Sequence, residues 1–505
     1  MSAMLLDRTF HPDEANQAFT TGRLLETGRY EYQPDDHHGP TLYYAAAALQ
    51  KAAGHDTLAT MDGSLLRCTP LLFAVLTLVF GFLAVRRLAR SWLVPSLFVI
   101  LLGTSPIFIF FATNFIQEML LSCFTMMMFW AGVGYMFPGK RWKPGTWALL
   151  FGIAAGLAFA TKETSVLAFA AAGLAGIPLA WRFRKDMRFE PRDAVLALAG
   201  FALTAILFFS SFASNWQGVY NAFVAAPLSY LGRAAGSAAS AGAADHVHPW
   251  WQYLKWLFAE KNQFHPIVIS GLLLGLAGWC MPRIREAFPL KKTFLFLILF
   301  SLILSAVYAV IPYKTPWCAL QMFIPLLLTA FLGTLGYCRA SYDEALRRLP
   351  SWAPTLVRVI SFCPVALLVT LQLVCDAKSL ERIYRDPDSK DIPYNYASAS
   401  PEVKQLAATV ADAMSRSREG TSAFIAVALP PADTWPFPWY NRPYEPQTGY
   451  WTSFDDLKQL AVAGTKPTVV IVPMTEGHLV QPLFPHLKNT KRFHMRPGVR
   501  VRVFW

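Results

Sequence analysis

Residues 291–317 read KKTFLFLILFSLILSAVYAVIPYKTPW, and they settle what kind of chain this is. No residue between Lys292 and Lys314 is charged. A bilayer core takes about 20 apolar residues per helix, so 294–311 is a membrane span rather than a buried core helix. Two lysines mark one end; the other carries a single lysine inside Tyr313-Lys314-Thr315-Pro316-Trp317. Working outward, comparable blocks recur at 66–85, 92–112, 119–137, 146–160, 164–181, 194–213, 266–281, 318–337 and 355–375. Only Thr161-Lys162-Glu163 parts 146–160 from 164–181, which form two short spans or one hairpin broken near a membrane face. The reading is an α-helical polytopic membrane protein with about nine to ten transmembrane helices.

The composition agrees. Hydrophobic residues make up 54% of the 505 and charged residues 15%, against roughly 25% charge in a soluble protein. The net charge is +13, and it is not spread evenly. One set of loops holds Arg86, Arg87 and Arg90; Lys140, Arg141 and Lys143; Arg182, Arg184, Lys185, Arg188 and Arg192; Arg283, Arg285, Lys291 and Lys292; and Arg339, Arg347 and Arg348. The alternate loops hold Lys162, Arg233, Lys255, Lys261 and Lys314. This is a positive-inside pattern, and it alternates correctly only if 146–181 crosses twice. The basic loops are therefore expected in the cytoplasm of an inner-membrane protein, and the charge points to topology instead of nucleic acid. All seven cysteines (Cys68, Cys123, Cys280, Cys318, Cys338, Cys363, Cys375) fall in or beside apolar blocks, without CxxC or metal-ligand spacing.

Three regions follow: an outer segment 1–65, a transmembrane part 66–375, and a soluble extracytoplasmic α/β domain 376–505. In the first, Ala15–Leu25 and Leu42–Ala53 have the apolar spacing of interfacial helices. The aromatic stretch Trp250–Phe258 suits the headgroup level, and Ala234–Ala244 reads as a patternless loop. In the last region Pro401–Arg416 and Ser453–Ala463 read as helices; Ala423–Leu429, Pro467–Pro473 and Val499–Trp505 read as strands.

Nearly every unusual polar residue of the membrane part falls on the outer side. Asp13 and Glu14 are adjacent carboxylates before an interfacial helix, suited to general-base work or metal binding. On its spacing alone Asp13 reads first as a helix N-cap with Glu14 in the first turn. Glu118 ends an otherwise uncharged stretch at a helix mouth, either a functional carboxylate or a snorkelling one. Lys162 and Glu163 form a local ion pair or face a substrate. Lys314 is a phosphate-binding point charge or an interfacial anchor beside Trp317. Walker, GxSxG, HExxH and glycine-rich dinucleotide motifs do not occur.

Six motifs stand in order: HPDEANQAF (11–19), YQPDDHHGPTLYY (32–44), ATNFIQEM (112–119), TKET (161–164), YKTPW (313–317) and WPFPWYNRPY (435–444). Together they resemble the GT-C membrane glycosyltransferases, within them the protein O-mannosyltransferase and aminoarabinose-transferase superfamily. The prokaryotic branch labelled as associated with archaeal-type glycosylation or flippase activity is the most similar. The resemblance implies a GT-C fold, a donor sugar on a polyprenyl phosphate, a first-loop acidic residue as the acceptor's base, and a second acidic residue at a later helix mouth. By position Asp13, with Glu14, matches the first and Glu118 the second. His38, Lys162, Glu163 and Lys314 are then substrate-binding candidates. A divalent metal is an optional cofactor, with Asp13 and Glu118 its candidate ligands. Such enzymes begin with a transmembrane helix before the acidic loop; this sequence has none ahead of Asp13. The acceptor is a protein, lipid or glycan. A lipid-linked sugar flippase and a non-catalytic accessory subunit are the rival readings, and Asp13, Glu118 and Lys314 are expected to share one cavity.

Overall fold

The computed structural model describes residues 6–33, 38–89, 91–182, 190–228, 246–259, 265–281, 291–346, 354–386, 389, 392, 394–395, 398–417 and 423–505. The Ala234–Ala244 stretch lies outside them. Two short helices open the chain, α1 (Pro12–Thr27) and α2 (Thr41–Ala52). The apolar helices follow: α3 (Gly63–Leu88), α4 (Leu93–Thr104), α5 (Pro106–Ala112), α6 (Glu118–Met136), α7 (Pro144–Phe159), α8 (Ser165–Arg182) and α9 (Pro191–Phe209). After them come α10 (Pro266–Cys280), α11 (Lys291–Val310), α12 (Ala319–Leu346) and α13 (Pro354–Arg385). Among the described residues seven helices are long and apolar enough to cross a membrane, and α4 with α5 makes an eighth if the bent pair is one span. Helices α7 and α10 are shorter apolar helices, so the ten blocks of the sequence are all present.

One block differs from its reading as a straight span. Residues 92–112 bend by 67° where α4 meets α5. Pro106 has no amide hydrogen to continue the ladder, and it disfavours a helical Ser105, which is extended here (φ −66°, ψ 134°). The bend delivers the chain to the 113–117 turn that starts α6.

Small residues set the closest helix crossings. A Cβ added at Gly152 of α7 would lie 1.9 Å from the Ala197 carbonyl of α9, so these backbones touch as small-residue interfaces in membranes do. Helix α12 is the axis of the bundle, with 83% of its apolar window buried, whereas α8 and α9 bury 22% and present Ile177, Leu198 and Leu203 outward. Those outward residues are what a lipid-facing helix needs. The Trp250–Phe258 stretch is amphipathic as expected: Tyr253, Trp256 and Leu257 are buried, Trp250 and Leu254 exposed.

The C-terminal part is a five-stranded sheet ordered β2-β1-β3-β5-β4, with helices on both faces. Its elements are α14 (Glu402–Arg416), β1 (Ile425–Ala428), β2 (Thr448–Trp451), α15 (Phe454–Val462), β3 (Val469–Pro473), β4 (Thr490–Arg496) and β5 (Val499–Phe504). Strands β2, β1 and β3 run parallel; β5 runs antiparallel to β3 and β4. Side chains alternate across the sheet. Ile425, Val427 and Ile471 pack on Val403 and Leu406 of α14, while Ala426, Val470 and Val472 pack on Phe454 and Leu457 of α15. The sequence-derived α/β reading holds, with β2 and β4 added to it.

Candidate functional site

Helix α1 starts at Pro12, whose ring fixes the helical φ, and its N-cap is His11. Asp13 therefore is not the cap that its spacing suggested. The His11 imidazole accepts from the Asp13 amide (3.1 Å), and Glu14 reaches back to accept from the His11 amide (3.0 Å). This reciprocal arrangement satisfies donors that a helix start leaves open.

The two carboxylates then part company. Glu14 is buried and accepts four hydrogen bonds: from Arg67 Nε (2.8 Å) and Nη2 (2.7 Å), the Phe115 amide (2.8 Å) and the His11 amide. Burial alone would raise its pKa, but the charge and bidentate bonds of Arg67 outweigh that and hold it down at about 2. Arg67 also donates to the carbonyls of Leu6 (2.9 Å), Arg8 (2.7 Å) and Thr9 (3.3 Å), which ties the N-terminal segment to α3. The Asp13 side chain, by contrast, is 46% exposed and has its carboxylate 3.7 Å from His11 Nδ1.

Glu118 begins α6 and is buried against the Lys162 ammonium, which its charge pushes above its usual pKa despite burial. Glu118 Oε2 is buried without a hydrogen-bond partner. Gln321 of α12 donates to the Glu118 carbonyl (2.9 Å) and to Ser122 (3.0 Å), clipping α12 to α6.

Lys162 and Glu163 do not pair with each other as a local ion pair. Glu163 takes His38 Nδ1 at 2.9 Å and the Tyr32 hydroxyl at 2.7 Å. Burial works to raise its pKa, and the His38 imidazole with the two hydrogen bonds brings it down to about 2. Gly39 makes this meeting possible: a Cβ there would sit 2.2 Å from the Ala160 carbonyl. Thr41 completes the seam, donating its amide to that carbonyl (3.2 Å) and bonding Thr161 Oγ1 (2.7 Å).

Lys314 is buried, with its ammonium donating to the carbonyls of Ala309 (3.0 Å) and Ile311, and burial pushes its pKa down. With these bonds it caps the end of α11. A narrow crevice with a cavity volume of about 20 Å³ lies between His11 and Glu14, Asn114 and Ile116, and Trp317. Three of the motifs thus wall one space. Asn114 Oδ1 is buried there without a partner. Asp13, Glu118 and Lys314 are not among its walls; His11, whose ring Asp13 approaches, is one of them, and Glu118 is closed on Lys162. Among the described residues no three His, Cys, Asp or Glu side chains gather to hold a metal ion.

Sequence reasoning missed Arg67, Gln321 and Tyr32. Arg67 gave a signal, being a charge inside an apolar block. Tyr32 stood in the motif YQPDDHHGPTLYY without being singled out, and Gln321 gave none.

Residues 42–217, about a third of the chain, match the family described as dolichyl-phosphate-mannose-protein mannosyltransferase. No curated protein matches the chain in sequence. Among solved structures it is similar to ArnT from Cupriavidus metallidurans bound to undecaprenyl phosphate, with a TM-score of 0.60 at 15% identity over 99% of this chain and 95% of that one. The apo state of the same protein gives 0.60 at 13% identity over the same shares. The apo oligosaccharyltransferase of Archaeoglobus fulgidus gives 0.50 at 10% identity, covering 93% of this chain and 66% of that one. At such identities the likeness is one of fold, and the fold is the GT-C fold that the six motifs implied.

Proposed function

We propose that this multi-pass membrane protein, which has the GT-C fold, is a glycosyltransferase that moves a sugar from a polyprenyl-phosphate donor to an acceptor hydroxyl on the extracytoplasmic side. The family match and the structural likeness to an undecaprenyl-phosphate-bound protein support a lipid-linked donor. The alternation of basic loops supports the side.

The observation that carries the mechanism is the division of labour between Asp13 and Glu14. A carboxylate with four donors and a pKa held at about 2 is a poor proton acceptor, which speaks against Glu14 as the base. Asp13 is accessible and next to the crevice residue His11. Asp13 takes the proton of the acceptor hydroxyl as that oxygen attacks the anomeric carbon. The bond from the anomeric carbon to the phosphate oxygen breaks, and the lipid phosphate leaves with the electron pair. Inversion follows from attack opposite the leaving group. The phosphate needs positive charge rather than a proton donor. Lys162 is the cation we assign to it, and it would serve only by leaving Glu118.

The test is sugar transfer by the purified chain in liposomes carrying polyprenyl-phosphate sugars. Asp13→Asn is expected to lower the rate by about 10² to 10⁴ with unchanged melting, since Asp13 neither caps α1 nor sits in a buried ion pair. Transfer at the parental rate would overturn the assignment of the base.

A further inference from the structure

The motif WPFPWYNRPY (435–444) takes no part in the chemistry above, yet it is where the C-terminal domain meets the segment leading into α1. Trp439 stacks on Phe10 with ring centroids 4.8 Å apart and planes 26° from parallel. The Arg67 guanidinium lies 4.4 Å from the centre of the same Phe10 ring, and the Arg442 guanidinium 4.0 Å from the Trp439 ring. Each of the two stacked rings is thus met by a guanidinium, Phe10 by Arg67 and Trp439 by Arg442, a favourable set of contacts in a buried setting. The Phe10 amide donates to the Tyr440 hydroxyl (2.8 Å). Arg442 fastens the far end, donating to the carbonyls of Trp439 (2.9 Å) and Met61 (2.7 Å). Trp435 meets Phe19 of α1 edge-on at 5.3 Å.

Phe10 stands three residues before Asp13, in the non-helical stretch whose direction sets where α1 begins. Short terminal segments of this kind fray unless something holds them. Here Arg67 holds the carbonyls of Leu6, Arg8 and Thr9, while the C-terminal domain holds the amide and ring of Phe10. We propose that Trp439 and Tyr440 are positioning residues for Asp13, so that the C-terminal domain aims the base. The inference rests on reading Asp13 as the base, but the holding contact itself is measurable without any substrate.

Two readouts on the full chain in detergent or liposomes test it. In Tyr440→Phe and Trp439→Ala, amide hydrogen exchange at Phe10 to Asn16 is expected to quicken by about tenfold, the scale of one lost hydrogen bond, while β1 and β3 exchange as before. Transfer should show a kcat about tenfold lower with the donor KM within about twofold, because the base is misaimed while the donor site is untouched. Trp439→Phe, which keeps a ring on Phe10, should retain both parental values. Mere glue between domains would slow nothing once folded. Unchanged exchange at Phe10 to Asn16, or quickened exchange with parental kcat, would overturn the proposal. If the parental chain transfers no sugar, the functional reading fails on its own and the exchange result still decides whether this contact holds the segment.

Discussion

Asp13 with Glu14 at the start of α1, and Lys162 with Glu163 in the turn between α7 and α8, are both charged dipeptides on one side of the bundle. At the first, the helix rotation of about 100° per residue sends Glu14 inward to Arg67 and leaves Asp13 outside. At the second, both residues are drawn in, to partners on different elements: Lys162 to Glu118 and Glu163 to His38. The first site leaves one charge exposed; the second closes both on partners. Neighbours in sequence therefore need not share an environment, and the availability of a charge is decided by what its side chain meets.

The largest break of this comparison is Arg67→Ala. It strands a buried carboxylate and removes the holds on the N-terminal carbonyls, so a loss of about 3–5 kcal/mol is expected, read as poor yield and a lowered melting temperature. Parental melting would show that Glu14 is not architecture. A sharper contrast comes from double variants. Lys162→Met alone should cost a few kcal/mol, but Lys162→Met with Glu118→Leu should return to within about 1 kcal/mol of the parent, because a buried ion pair is commonly replaceable by apolar groups. Arg67→Met with Glu14→Leu should not recover, since Arg67 also bonds three backbone carbonyls. Equal recovery at both sites would erase the distinction.

Acid offers a third test. Glu14 and Glu163 have pKa values near 2 in the folded chain against an ordinary 4.5. A depressed pKa gives stability that is complete above pH 4.5 and is lost as pH falls toward 2. Melting temperature should fall through that window, and Glu163→Gln should make the fall shallower. A parental slope in Glu163→Gln would remove Glu163 from the architectural set. The smallest effect belongs to an exposed pair: Arg339→Ala, which breaks an i,i+4 contact with Asp343, should move stability by less than about 0.5 kcal/mol.

The sequence made the ten apolar blocks and both outer helices legible because hydrophobic run length and helical spacing are local properties. It did not show the bend at Ser105-Pro106 as a bend, although the proline was its signal. Strand β4, TKRFHMR, reads as a polar basic stretch because it is an edge strand whose first residues face water. Strand β2 hid behind Gly449 and its short length. At the candidate site, Asp13, Glu118, Lys162, Glu163 and His38 stood out by rarity of charge, but which of them close on one another depends on approaches such as Gly39 against Ala160, across 121 positions of sequence separation. Lys314 shows the converse: a cation expected on the outer side whose hydrogen bonds go to carbonyls three and five residues back.

The order β2-β1-β3-β5-β4 leaves two open margins on the sheet, and a sheet margin is a template on which another chain can extend. Along β4 the sequence places Lys491, Arg492, His494 and Arg496, with the first two exposed. Any copy arriving edge-on would bring the same row of positive charge against itself. The feature that hid this strand from pattern reading thus disfavours edge-to-edge pairing of two copies.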